Sequence, residues 1–160
     1  MIKTEQLNKI LFFQGLPPET LTKIAGIAEI ETHGEEQELF KQNQNLSHFY
    51  SVLSGKIFLN SRSPAGTSIT LDEVSAGHSF GLSAVTGDIE TSFSAICAEK
   101  SEIIKLANDD LLGLFEKDKK LGYLIMLRVV QFFNSRMTRH TQQFVKSIAN
   151  HPDIKKALAQ

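Results

Sequence analysis

Between residues 29 and 106 short apolar runs alternate with turn formers, and this punctuation limits what the chain can fold into more than any other feature. Helical periodicity fades there, and Gly34, Asn43, Asn45, Gly55, Pro64-Ala65-Gly66, Gly77 and Gly87 fall between the apolar runs. The runs predict strands at 37–41, 48–53, 56–60, 68–74, 92–98 and 101–106. In one of them Phe93, Ala95 and Cys97 alternate with Ser92, Ser94 and Ile96, the pattern of a half-buried strand. Ser63-Pro64-Ala65-Gly66 reads as a hairpin loop. Turn signals this frequent predict an antiparallel sandwich or barrel.

Helices are expected on both sides of it. Leu7, Ile10 and Leu11 have helical spacing within 4–12, and Gly15-Leu16-Pro17-Pro18 ends that segment. A second helix over 19–28 places Leu21, Ile24, Ala25 and Ala28 on one face. Asn108 is positioned as the N-cap of a third, with Asp109 and Asp110 at its positive end. Lys117-Asp118-Lys119 marks a break, and a long helix follows over 119–149, stopped at Asn150-His151-Pro152. The expected organisation is a β domain with flanking helices at 1–118, the long helix at 119–149 and a tail at 150–160.

Ten of the thirteen residues from Leu121 to Phe133 are apolar. A helix apolar nearly all round must bury more than one side. One side can pack on the β domain and the other needs a partner. The expectation is a homodimer helix using Leu121, Leu124, Ile125, Val129, Phe132 and Phe133. Burial within one subunit is the alternative.

Composition removes several classes of function. Seventeen basic and eighteen acidic residues leave a net charge of −1, so no global field favours nucleic acid. Cys97 is alone, which rules out a disulfide framework and suits a reducing cytoplasm. The N-terminus lacks the build of a signal peptide, and 121–133 is too short to span a bilayer, so no membrane association is expected. His33, His48, His78, His140 and His151 lack the spacing of a metal site, and no catalytic triad or nucleotide fingerprint occurs. No metal, no catalytic residue and no enzyme activity are expected.

The remaining feature is Gly77–Ser92, a Gly-bracketed turn running into small residues. Backbone amides at such a turn make a seat for an anion, which usually has a cation beside it. No Arg or Lys lies between Gly77 and Ser92. Several segments resemble the cyclic nucleotide-binding domain family, in its stand-alone effector-domain form of the catabolite activator protein type. They are Leu11-Phe12-Phe13-Gln14-Gly15-Leu16-Pro17, then Leu39-Phe40-Lys41-Gln42-Asn43-Gln44, then Phe49-Tyr50-Ser51-Val52-Leu53-Ser54-Gly55-Lys56-Ile57, and Ser79-Phe80-Gly81. Asn43 stands where the family usually has glycine, and asparagine is the side chain that best tolerates a positive φ.

The resemblance implies an α+β fold, an antiparallel β-roll (jelly roll, or double-stranded β-helix) flanked by short helices, with a long C-terminal dimerisation helix. It implies a ligand seat at Phe80, Gly81, Leu82, Ser83, Ala84, Thr91 and Ser92. Leu82 occupies the position of the family's ribose-binding glutamate, and Thr91 that of its phosphate-binding arginine. A buried charge left without its partner costs about 3–5 kcal/mol, and a lost ribose hydrogen bond about 1–3 kcal/mol. Together these weaken binding by roughly three orders of magnitude or more. The expected function is therefore non-catalytic sensing, with no resident cofactor, of a ligand other than cyclic AMP or of cyclic AMP bound weakly. Two alternatives stand beside it: a true cyclic AMP or cyclic GMP binder that recruits Arg136, and a dimeric scaffold with a vestigial pocket. Ligand binding is expected to shift the long helix, and the readout to be a partner protein. Family members that bind DNA do so through an added helix-turn-helix; with eight residues after Pro152, no direct nucleic-acid binding is expected of this chain.

Overall fold

The computed structural model describes residues 2–86 and 90–158. The chain forms two compact units, Met1–Leu124 and Ile125–Gln160. In the first, α1 (Thr4–Asn8), a 3-10 turn (Leu11–Phe13) and α2 (Pro18–Ile27) precede the strands. Strands β1 (Ala28–His33), β2 (Glu38–Phe40), β3 (His48–Ser54), β4 (Lys56–Arg62), β5 (Ser68–Ser75) and β6 (Ser79–Phe80) follow. A single turn, α3 (Ser83–Thr86), leads to β7 (Ser94–Cys97), β8 (Ser101–Ala107) and α4 (Asn108–Lys117). The long helix α5 (Lys119–Asn150) begins in the first unit and continues into the second, and α6 (Pro152–Leu158) comes after it.

Among the described residues the strands make two four-stranded antiparallel sheets, in the orders β1-β8-β3-β6 and β2-β7-β4-β5. Successive residues of a strand face opposite ways, so β3 of the first sheet packs on both sides. Val52, Phe80 and Ile103 turn inward against Phe40, Ile57, Leu59, Val74, Ala95 and Cys97 of the second sheet. Phe49 turns the other way, where its ring lies 4.9 Å from that of Phe12 and 6.2 Å from that of Phe13. Those two rings belong to the 3-10 turn, which is how the N-terminal helices cover the outer face. No helix among the described residues is long and apolar enough to cross a membrane.

Several boundaries differ from the sequence reading for identifiable reasons. The first helix stops at Asn8, and Leu11–Phe13 form a separate 3-10 turn. Ala28 leaves α2, with φ −86° and ψ 141°, and opens β1. Asn108 does not cap α4: Ala107 holds the cap position, no side chain bonds there, and the buried Asn108 Oδ1 has no hydrogen-bond partner. Asp118 does end α4, and its Oδ1 then accepts the Leu121 amide at 3.0 Å, capping α5, while Oδ2 meets Lys23 Nζ at 2.6 Å. Pro152 stops α5 but also starts α6, where its missing N–H has no consequence. The expected tail is thus helical over Pro152–Leu158.

Candidate functional site

The seat is held from both ends by backbone pairing. The Gly77 amide donates to Val52 O at 2.8 Å and the Val52 amide to His78 O at 2.9 Å. Ser51 and Ser79 are opposed in the β3–β6 ladder, and their buried hydroxyls share a 2.9 Å hydrogen bond. Gly81 follows with φ +74°. A Cβ there would lie 2.9 Å from Tyr50 Cδ2 and 3.3 Å from His48 O, so only glycine lets the chain turn this close to β3.

Beyond Gly81 the chain closes α3. The Ala84 amide donates to Gly81 O at 3.2 Å and the Val85 amide to Leu82 O at 3.0 Å. The Ala84 amide is therefore committed within the turn. Leu82, Ala84 and Val85 are all buried, so the position expected to resemble the family's glutamate faces the interior with an isobutyl group. Gly87, Asp88 and Ile89 lie outside the described residues.

Thr91 is fixed more firmly. Its carbonyl accepts the Asn43 amide at 2.7 Å and its amide donates to Gln44 O at 2.9 Å, which ties it to the β2–β3 turn. Asn43 in that turn has φ +63°. The Thr91 hydroxyl donates to Phe93 O at 3.0 Å and accepts the Phe93 amide at 3.3 Å. The residue is 3% exposed. Ser92 beside it is exposed and starts no strand, because the Thr91–Phe93 turn delays β7 to Ser94.

Around the seat the roll is aromatic. The Tyr50 and Phe80 rings stack at 5.3 Å and 14°, and Phe40 lies 5.6 Å from Tyr50, 6.1 Å from Phe80 and 5.9 Å from Phe93. Burial pushes the Tyr50 hydroxyl pKa up and the His48 pKa down. Sequence reasoning missed a cation that the β-ladder brings to this face. Lys105 is directly opposite Tyr50, and Tyr50 opposite Phe80, so the three share one side of the sheet. Lys105 is engaged: its ammonium bonds the Glu31 carboxylate and lies 3.3 Å from Glu29. The hydrogen bond to Lys105 holds Glu31 below the ordinary carboxylate range and, reciprocally, raises Lys105.

The other expected site residue, Arg136, belongs to the second unit, where its guanidinium sits 5.8 Å from the Phe132 ring centroid. Of the expected seam residues, Leu121 and Leu124 lie in the first unit, and Ile125, Val129, Phe132 and Phe133 in the second.

The family model described as Cyclic nucleotide-binding domain matches residues 30–118, from β1 through the seat to the end of α4. The chain belongs to the cyclic nucleotide-binding domain family. Its fold is similar to that of a cyclic nucleotide-binding domain from Methylobacillus flagellatus, with TM-score 0.80 and 18% identity over 93% of this chain and 84% of that one. It is similar to the Thermus thermophilus catabolite activator protein, with TM-score 0.73 and 23% identity over 86% of this chain and 63% of that one. It also resembles the sensor domain of the transcriptional regulator DNR from Pseudomonas aeruginosa, with TM-score 0.67 and 16% identity over 84% of this chain and 91% of that one. At these identities the likeness is one of fold. A comparison with curated proteins found no match. The cyclic nucleotide-binding domain is a regulatory module, and the paired sheets, the short helices and the long C-terminal helix are its architecture here.

Proposed function

We propose that this chain is a non-catalytic sensor that works as a homodimer through α5 and takes a ligand less charged than a cyclic nucleotide, or cyclic AMP only weakly. The observation that carries this reading is the state of Thr91. At the place where the family's arginine is expected, a buried hydroxyl is bonded to the backbone of Phe93. Buried Leu82 supports it, since at the place expected of the family's glutamate it brings an isobutyl group and no charge. The output is then a change in dimer arrangement, read by a partner protein.

Calorimetric titration with cyclic AMP and cyclic GMP tests the reading. Binding no tighter than millimolar is expected, and Thr91→Arg is expected to strengthen it at least about 100-fold, given about 3–5 kcal/mol for restoring a buried charge pair. Micromolar binding by the unaltered chain overturns the reading. If Arg136→Ala then abolishes that binding, the chain is a true cyclic nucleotide receptor.

A further inference from the structure

The net charge of −1 conceals an uneven division. The unit Met1–Leu124 holds eleven Lys and Arg against seventeen Asp and Glu, whereas Ile125–Gln160 holds six against one, Asp153. The second unit is thus basic by five charges, a sum that holds whatever groups its arginines contact. Within it the cations are ordered. Arg128, Arg139 and Lys146 are eleven and seven residues apart, close to three and two whole turns, so they follow one line along α5. Each stands two residues from a member of the apolar stripe Val130, Met137 and Phe144, about half a turn away on the far side. Arg139 and Lys146 are exposed, as are Lys155 and Lys156 of α6. Gln131 and Gln142, three residues after Arg128 and Arg139, add exposed amides beside the same line.

We propose that this polar, basic side of the second unit binds the phosphodiester backbone of nucleic acid, without reading its sequence. A protein can do this at a net charge near zero, because counterion release depends on the local array of cations and not on the charge of the whole chain. The shape of the array selects the partner. From Arg128 to Lys146 it runs about 27 Å along a single helix, and duplex DNA carries one negative charge per ~1.7 Å of its axis. Ammonium, guanidinium and amide donors are also the groups that contact phosphate and sugar. A linear array of them fits a linear polyanion better than the compact surface of an acidic protein. A bilayer fits less well still. The apolar stripe is the side that the homodimer reading above gives to a second copy, so the basic side has no apolar side chains to insert between lipids.

Fluorescence anisotropy of the full chain with a labelled duplex DNA and a labelled single-stranded RNA, each about 30 nucleotides long and titrated from about 50 to about 200 mM salt, is the test. A dissociation constant of about 1–100 µM is expected at physiological salt, equal for unrelated sequences, with log K falling against log salt at a slope of about −3 or steeper. Binding to either probe supports the proposal and names the source of the phosphates. Lys146→Gln with Lys155→Gln and Lys156→Gln is expected to flatten the slope by about 2–3 and to weaken binding at least about tenfold at low salt. Lys41→Gln with Lys100→Gln, two exposed lysines of the first unit, is expected to change neither. No binding to either probe at low salt, or a triple variant that binds as the natural chain does, overturns the proposal. So does polyglutamate that competes charge for charge, which would point to an acidic protein, or binding to phosphatidylserine vesicles alone, which would point to a membrane. Sedimentation of the same samples reads the homodimer separately: a monomer that binds with the expected salt slope overturns the homodimer and supports this proposal.

Discussion

Thr91 holds its own turn together, and this makes the site's most informative residue testable apart from any ligand. Thr91→Val keeps the shape but removes both bonds to the Phe93 backbone. A loss of about 1–2 kcal/mol is expected, read from the urea midpoint. A variant as stable as the parent would mean that the hydroxyl is dispensable to the fold. The Lys105 cluster sets a second residue-scale expectation. Glu31 is held below its ordinary value, so its contribution is present above the ordinary carboxylate pKa and is lost as pH falls through the folded value. His48, lowered by burial, contributes in the same sense: present above the ordinary histidine pKa and lost on acidification. Lys105 is raised, so its share is complete below the ordinary lysine pKa and is lost only as pH rises through its folded value. Stability is therefore expected to be greatest from neutral to mildly alkaline pH and to fall towards acid. Because Glu31 is 40% exposed at its side chain, solvent screens the pair, and Lys105→Met should flatten the carboxylate part of the acid limb by no more than about 1 kcal/mol. Urea midpoints at neutral and acid pH measure it.

At the scale of the element, the β3–β4 turn tolerates little change. Gly55 has φ +88°, and a Cβ there would lie 2.3 Å from Ser101 Oγ and 2.7 Å from Lys100 O. Gly55→Ala is expected to destabilise by about 2–3 kcal/mol, a fall of roughly 5–10 °C in Tm for a chain of this length; an unchanged Tm would show that β8 can move aside. Strands bounded by such turns were legible from sequence. The expected strands 48–53, 56–60 and 68–74 have Gly or Pro near their ends, and they are β3, β4 and β5 to within two residues. β1 was not legible: Ala28–His33 follows α2 with no turn residue between them and Ala28 fits the helical face of Leu21, Ile24 and Ala25, although Glu29 and Glu31 alternate with Ala28 and Ile30. Those carboxylates are satisfied by Lys105, more than seventy residues away in sequence, a pairing that only the β1–β8 register creates. β6 is two residues long, too short for any periodicity. At the seat, Gly81 and the positive φ of Asn43 were readable from residue type, since few side chains tolerate that backbone. The inward turn of the Thr91 hydroxyl was not, because it depends on where the Phe93 backbone lies.

For the whole molecule, the homodimer reading makes stability depend on concentration. A partner that binds only the folded chain adds stability that grows with the logarithm of its concentration. The natural chain should therefore show a Tm that rises across a hundredfold range of concentration. Met137 and Phe144, 64% and 66% exposed, offer the cleanest way to remove that term, because neither is part of the packed roll and a charge on each leaves the protomer's cores intact. In the homodimer reading, Met137→Glu with Phe144→Glu places four carboxylates where the two copies of α5 meet, so that like charges face one another in a desolvated layer. This variant is expected to sediment as a monomer, with a Tm independent of concentration and an unchanged near-ultraviolet spectrum from the roll's aromatic residues. A double variant that remains a dimer would place the interface elsewhere on the chain. A natural chain whose Tm ignores concentration would leave α5 without a partner of its own kind, and the exposed apolar face would then require a different protein to cover it.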